Sequence, residues 1–348
     1  MKKKDNISIK DVAQRAGVSP TTVSRVINDS KHPVNENTKK LVREAIDELN
    51  YQPNRLAQGL KKNKSKIIGV IVHDISDEYF AQMVRGIEAV TFDNDYIVNI
   101  INTERDIHKE LKAVEMLKAN RAEAIIFTGG NLIDNYYNQK MKKNIKELKN
   151  QGCYIVGVTS HPFDIKNIEI GNKEAAESIT KHLIDKGHQQ IAYVNGPEIL
   201  NTTRERYRGY KKAFKETDIE LKGELVVDGD FTFEGGRQAA KDLLKFKDQL
   251  TAIVASNDET ALGVMWQLKQ EGIQIPEDIS VTGIGNIPAS NYSHPPLTTI
   301  SLPLYDLGQQ MGDYLINYLK DSNKEISDVE VEIGLVERSS VDSLNKSD

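Results

Sequence analysis

The chain has 348 residues, 39% hydrophobic and 28% charged, with a formal net charge of −5 and one cysteine, Cys153. That is globular composition with room for two or three domains. A single cysteine excludes an intrachain disulfide scaffold and a cysteine-rich zinc module, and the longest apolar runs, such as residues 67–72, fall far short of the roughly 20 residues a membrane span requires. Three lysines at positions 2–4 are not followed by the apolar stretch of a signal peptide, so a cytoplasmic location is expected.

The charge is unevenly spread. Residues 1–66 hold 15 Lys+Arg and 7 Asp+Glu, a net of +8, which leaves 31 and 44 for the rest, a net of −13. A small basic segment on an acidic body is the footprint of a nucleic-acid-binding module joined to something else.

Residues 8–16 read as a first helix, capped by Ser8 with Asp11 three residues on, and with Ile9, Val12, Ala13 and Ala16 on one face. Gly17 breaks it. Ser19 is a second N-cap and Pro20 stands at the first position of a helix over 20–28. That helix buries Val23, Val26 and Ile27. Its other face carries Thr21, Thr22, Ser24, Arg25 and Asn28, small polar groups suited to base edges, with Arg25 suited to phosphate. A third helix over 36–50 presents Leu41, Val42, Ala45, Ile46 and Leu49 to the same small core. Two short helices about a glycine turn make a helix-turn-helix.

The segments Ile9-Lys10-Asp11-Val12-Ala13, Gly17-Val18-Ser19, Thr22-Val23-Ser24-Arg25-Val26-Ile27-Asn28 and Asn50-Tyr51-Gln52-Pro53-Asn54 together resemble the DNA-binding headpiece of the lactose/galactose repressor (LacI/GalR) family. The resemblance implies that Ser19, Thr21, Thr22, Ser24, Arg25 and Asn28 meet DNA. It also implies a hinge over 51–65 that becomes helical when paired on DNA. Such a short helix is marginal alone in water, and Gly59 weakens it by roughly 1 kcal/mol relative to alanine. By the same resemblance Asn54 meets DNA, Leu60 wedges into a minor-groove step, Ala57 lines the groove beside it and Lys61 lies near the backbone or the groove floor. Apolar wedges of this kind kink duplex DNA.

From Lys66 onward, strand-like runs at 67–72, 96–101, 124–127, 154–158, 191–194, 225–227, 252–254 and 279–282 alternate with amphipathic helices, for example 79–92, 107–118, 173–186 and 259–271. The alternation predicts parallel sheets covered on both faces, and the length predicts two doubly wound α/β lobes. Gly187-His188, Arg206-Tyr207-Arg208-Gly209-Tyr210, Asn257-Asp258-Glu259-Thr260-Ala261-Leu262-Gly263 and Pro296-Leu297-Thr298-Thr299-Ile300 resemble the family's core, which is like the periplasmic sugar-binding proteins. The expected organisation is a headpiece at 1–50, a hinge at 51–65, an effector-binding and dimerisation core at 66–338 and a tail at 339–348. Within the core, the first lobe spans 66–165 and 298–325 and the second 166–295 and 328–340. Crossings are expected near 164–168, 293–298 and 324–330.

Ligands of open α/β sheets sit at the carboxyl ends of strands. Tyr79 and Phe80 follow the first strand and offer aromatic faces. The resemblance places Arg206 at the effector-anchoring position, where a guanidinium bonds vicinal hydroxyls or a carboxylate, with Thr202 a helical turn before it. Phe231 matches an aromatic platform and Asn257 an amide that bonds hydroxyls, while Asp258 is read as a helix cap. Two departures stand out. Gly285 in Gly283-Ile284-Gly285-Asn286 replaces an acid of many sugar-binding members, and the strand at 154–158 runs into Thr159-Ser160-His161 where an aspartate is common. Either the ligand carries an anionic group that carboxylates would repel, or Asn286 and His161 stand in for the acids. Thr159 and Asn286 complete the expected effector site.

No Walker A sequence, dinucleotide motif or metal-like histidine spacing is present, Cys153 and Trp266 read as core, and no catalytic constellation emerges. No cofactor or metal is expected. The leading expectation is a homodimeric repressor of a carbohydrate-utilisation operon, binding near-palindromic double-stranded operator DNA and controlled by a sugar or sugar derivative. The alternative keeps the DNA and replaces the effector with a phosphoprotein co-repressor. A sugar-processing enzyme or pure binding protein would leave the headpiece unexplained.

Overall fold

The computed structural model describes residues 7–27, 32–51, 65–215, 217–321 and 331–344. It divides into two compact units, residues 1–65 and 66–348.

In the first unit, α1 (Ile9–Ala16), α2 (Pro20–Ile27) and α3 (Glu36–Glu48) enclose a core of Val12, Ala13, Val23, Val42 and Ala45. Local chemistry sets each end. The Ser8 backbone N–H and hydroxyl both donate to Asp11 Oδ2 at 2.7 Å, and Gly17 closes α1 in the left-handed region at φ 66°. Thr22 N–H donates to Ser19 Oγ at 3.1 Å, and Asn37 N–H to Asn35 Oδ1 at 2.9 Å. Leu41, expected in the core, is 52% exposed; Val42 and Ala45 take the inward positions of α3 instead.

The second unit has two sheets. The first-lobe strands are β1 (Ile67–Val72), β2 (Ile97–Asn102), β3 (Ala124–Phe127), β4 (Tyr154–Val158) and β5 (Lys166–Ile168), all parallel in the order β2-β1-β3-β4-β5. They alternate with α4 (Glu78–Phe92), α5 (Ile107–Ala119) and α6 (Asn135–Asn150). After α7 (Asn172–Asp185), the second lobe adds β6 (Ile191–Val194), α8 (Asn201–Phe214), β7 (Val226–Val227), α9 (Phe233–Leu243), β8 (Ala252–Ala255), α10 (Asp258–Gln270), β9 (Ser280–Gly285), α11 (Pro288–Tyr292) and β10 (Thr298–Ser301). The chain then returns to the first lobe as α12 (Leu304–Lys320) and ends in β11 (Gly334–Val336). The second sheet runs β11-β10-β9-β8-β6-β7, parallel except for the β10–β11 pair. Strands such as Ala124–Phe127 and Ala252–Ala255 are buried along their whole length, as expected of parallel sheets sandwiched by helices.

Several boundaries differ from the sequence reading. Strand β5 pairs with β4, so residues 166–168 belong to the first lobe. Strand β10 pairs with β9, which puts 298–301 in the second lobe and the second crossing at Leu302-Pro303 rather than 293–298. Leu225 lies in a 3₁₀ turn, leaving only Val226–Val227 as strand. The expected tail is anchored: Ser340 is buried, its Oγ donates to Val281 O and accepts from Thr298 N–H, and Leu344 N–H reaches Lys186 O. Trp266 is 40% exposed with Arg237 4.0 Å over its ring, so it is a surface residue and not core. Cys153 is buried, which pushes its thiol up to about 12.

Where α12 docks on α4, backbones meet almost directly. A Cβ on Gly86 would lie 2.1 Å from Tyr305 O, and one on Gly308 2.1 Å from Met83 O. Only glycine permits that approach. Among the described residues no helix is long and apolar enough to cross a membrane.

Candidate DNA-reading face and effector cleft

In the helical unit, Thr21 and Arg25 are exposed on α2, and Thr22 and Ser24 are half-buried beside them. The Thr22 hydroxyl lies 3.0 Å from Ser19 Oγ. Part of its capacity is therefore spent on the cap, and Thr21 is the freer of the two threonines. Asn28, Asn54, Ala57, Leu60 and Lys61 lie outside the described residues.

In the second unit a cleft opens at the carboxyl ends of both sheets. From the first lobe come His73, Asp77, Tyr79, Phe80, Arg105 and the pair Gly129-Gly130; from the second come Leu200, Thr202, Arg206, Phe231, Asn257, Asp258, Glu259, Ile284, Gly285 and Ile287. Six of the expected residues are thus brought together: Tyr79, Phe80, Thr202, Arg206, Phe231 and Asn257.

Arg206, in the second turn of α8, is 4% exposed. Its Nε donates to Asn172 Oδ1 at 2.9 Å and its Nη1 to Ser256 O. The guanidinium lies 5.8 Å from the centre of the Phe231 ring. Burial lowers its pKa from the ordinary 12.5, opposed by Tyr79, Tyr193 and Asp258, and a buried guanidinium stays charged. Phe231 holds a left-handed backbone, φ 68°, and its carbonyl accepts from Asn257 Nδ2 at 3.0 Å. Across the cleft, Tyr79 and Phe80 meet edge to face with ring centres 5.0 Å apart. Asp77 caps α4 through Tyr79 N–H at 2.9 Å, and burial raises its pKa.

Asn257, not Asp258, is the helix cap. Asn257 Oδ1 accepts from Thr260 N–H at 3.1 Å and is the cap of α10. Asp258 points the other way and accepts from Ile287 N–H at 3.0 Å, Ser290 Oγ at 2.7 Å and Thr299 Oγ1 at 2.6 Å. It ties α10 to β10 and the start of α11. Its carboxylate is spent on the scaffold.

Thr159 and Asn286 fall outside the cleft lining. Thr159 is buried behind it at φ 68°, with its N–H on Ile168 O. Asn286 turns away: its Oδ1 accepts from Arg338 Nη2 at 2.6 Å and its Nδ2 donates to Ser301 Oγ at 3.3 Å. His161 packs against Phe127 and Phe163 with Nδ1 on Thr159 O. None of the three replaces the missing acids. Asp77 and Glu259 supply carboxylates to the lining from other positions, and Arg105 faces Asp77, Asp74 and Asp230. The cleft lining thus holds ionisable groups of both signs.

At the rim the lobes touch through backbone. Leu132 bridges Leu200, Ile133 N–H donates to Ile199 O at 2.7 Å and Asn201 N–H to Asn131 O at 3.1 Å. Gly130 makes this possible, since a Cβ there would lie 2.3 Å from Thr202 Oγ1.

Residues 8–54 match the family described as bacterial regulatory proteins, lacI family, and residues 180–341 match the periplasmic binding protein-like domain. The chain is 35% identical over 338 residues to the HTH-type transcriptional repressor PurR of Photobacterium profundum, spanning 97% of this chain and 99% of that protein. The chain belongs to the lacI family of bacterial regulatory proteins. A second family relative, catabolite control protein A of Priestia megaterium, is 34% identical over 327 residues, covering 93% of this chain and 95% of that one. The crystal structure of the lac repressor dimer bound to operator and the anti-inducer ONPF is similar with a TM-score of 0.84 at 28% identity, covering 97% of this chain and 100% of that chain. As a lacI-family member, this protein is a DNA-binding transcriptional repressor with a two-lobed, periplasmic-binding-protein-like core.

Sequence reasoning missed His73, Asp77, Arg105 and Glu259. Asp77 had a legible signal, an acidic cap just before a helix. Arg105 had none: it reaches the cleft because Glu104 and Arg105 are consecutive left-handed residues, φ 53° and 60°.

Proposed function

We propose that the protein is a homodimeric repressor that reads a near-palindromic operator with paired headpieces and releases or tightens on it when a sugar or sugar derivative fills the cleft, controlling a carbohydrate-utilisation operon. Acting on chromosomal DNA, it works in the cytoplasm. Its relatives are regulators rather than enzymes. The observation that carries the effector reading is the buried Arg206. Its Nε and Nη1 are held by Asn172 and Ser256, which fixes the plane of the guanidinium beside Phe231. A fork so held suits paired hydroxyls or a carboxylate, and Tyr79 and Phe231 supply the apolar faces such a ligand needs. Arg105 Nε adds a buried donor with no hydrogen-bond partner.

Dimerisation is supported by large apolar side chains left exposed on the core: Phe92 on α4, Ile97 and Ile100 on the edge strand β2, and Tyr292 on α11. Exposed apolar patches on an edge strand mark interaction surfaces. A twofold protein matches twofold DNA.

The test is a thermal-shift screen of residues 66–348 against sugars, sugar phosphates and nucleosides. A ligand at about 100 times its Kd adds roughly 2.7 kcal/mol. Stabilisation by a sugar or its derivative supports the reading. A blank panel, with operator affinity rising only in the presence of a phosphoprotein, favours the co-repressor alternative.

A further inference from the structure

Just past β1 the cleft wall holds one ionisable side chain that effector anchoring leaves unused, His73, and a second, Glu110, lies against it outside the lining. His73 follows the last residue of β1, is 3% exposed and lines the cleft. Gly129 makes room for it, since a Cβ there would lie 2.6 Å from the imidazole. Glu110, in the first turn of α5, is 2% exposed, with Oε2 3.9 Å from His73 Nε2. Its Oε1 accepts from Tyr137 Oη and its Oε2 from Thr103 Oγ1 at 3.3 Å. Burial raises its pKa, and the hydrogen bonds from Tyr137 and Thr103 oppose that rise. The charged or titratable groups facing His73 are Glu110 from α5, Arg105 from the β2–α5 connection and His161 from the β4–β5 connection; Tyr137 of α6 faces Glu110.

We propose that His73 and Glu110 form a buried one-proton pair in the cleft wall, the proton resting on Glu110 and the imidazole neutral, and that this pair is a specificity-determining element of the effector site. The proposal rests on the effector-cleft reading above. Two physical points favour the neutral arrangement. At 3.9 Å the two groups are beyond hydrogen-bond distance, so an ion pair would lack the bond that compensates desolvation. One proton on the carboxyl leaves both groups uncharged, the cheapest state for an apolar wall. Burial pushes Glu110 up to about 7, and burial with the Arg105 charge pushes His73 down to about 3. The His73–Glu110 pair then adds no negative charge to the carboxylates already near Arg105 until Glu110 ionises. An effector that places an anionic group there is tolerated below neutral pH and opposed above it.

The pair has a signature that needs no ligand. Between pH 5 and 6 the unfolded chain holds close to one proton on the two groups, on His73, because an ordinary carboxyl is mostly ionised there and an ordinary imidazole mostly protonated. The folded pair also holds one, on Glu110. The wild type therefore has no pH slope from this pair. Removing Glu110 leaves a histidine protonated only when unfolded, so stability rises with pH. Removing His73 leaves a carboxyl protonated only when folded, so stability falls with pH.

The experiment is urea unfolding of the full chain over that range for wild type, E110Q, H73Q and the double variant. Relative to wild type, the folding constant should rise roughly eightfold per pH unit in E110Q and fall roughly eightfold in H73Q, and the double variant should run parallel to wild type. Either single variant running parallel to wild type, or both tilting the same way, overturns the proposal. Long-range ¹H–¹⁵N spectra of the imidazoles give a second readout. His73, identified by its loss in H73Q, should be neutral at pH 6, and a protonated His73 refutes the assignment. A wild-type spectrum with every imidazole protonated at pH 6 does the same should no variant fold. A blank ligand screen leaves these outcomes untouched, so the pair and the effector reading fail separately.

Discussion

Gly17 sits at the turn on which the helix-turn-helix depends, and replacing it by alanine isolates one physical effect. Its φ is 66°, and nothing lies within 4 Å of where a Cβ would go. The substitution therefore adds no clash. Its cost is the left-handed strain of an L-residue, about 1–2 kcal/mol, less the about 0.4–1 kcal/mol that alanine contributes by restricting the unfolded chain. The net loss is about 1 kcal/mol. Among the described residues the helical unit has five buried core side chains, and a domain of this size has only a few kcal/mol to lose. The unfolded fraction of the headpiece should rise roughly fivefold. Hydrogen exchange of amides in α1 and α3 of the full chain measures it directly, and Gly272→Ala, also left-handed with open space around it, is the control: it should leave headpiece exchange unchanged. Headpiece amides exchanging at the wild-type rate in Gly17→Ala would refute the argument that glycine is there for its backbone.

Arg206→Ala should weaken effector binding by at least about 100-fold, since two charge-assisted bonds to the ligand, each worth about 1.5–3 kcal/mol, together give about 3–6 kcal/mol, while DNA binding persists; calorimetry and anisotropy read the two arms. Leu60→Ala should reduce operator affinity and spare effector binding, and equal loss of both would remove the hinge assignment. Asp258→Ala should destabilise the core by about 3 kcal/mol, because the Ile287 N–H and the hydroxyls of Ser290 and Thr299 lose their common acceptor; unchanged urea midpoints for the core transition would contradict that.

What could be read from the sequence follows how local its causes are. Ser8, Gly17, Ser19 and Pro20 act within a few residues, so the ends of α1 and the start of α2 were legible. Long apolar strands such as Ile67–Val72 were legible because they are buried on both faces. Short strands escaped: Lys166–Ile168 has no apolar run, and Thr298–Ser301 is defined by pairing with β9 rather than by its own composition. In the cleft, Arg206 and Phe231 were found from flanking motifs. Asn286 was misplaced because Arg338, 52 positions later, turns it away, and Asp258 because its three donors come from α11 and β10. Such long-range partners leave no local trace.

The backbone bridge at the cleft rim has a kinetic consequence. Two main-chain hydrogen bonds, Ile133 to Ile199 and Asn201 to Asn131, hold the lobes together there. At about 0.5–1.5 kcal/mol each, breaking them makes the open form roughly 5- to 150-fold rarer than it would be without the bridge. A ligand that enters through the rim waits for that opening, and its association rate falls in proportion to the open fraction. A ligand already inside waits for the same event before leaving. Such a regulator averages over brief dips and spikes in its signal: bound molecules outlast short interruptions of supply, and the response lags the metabolite pool.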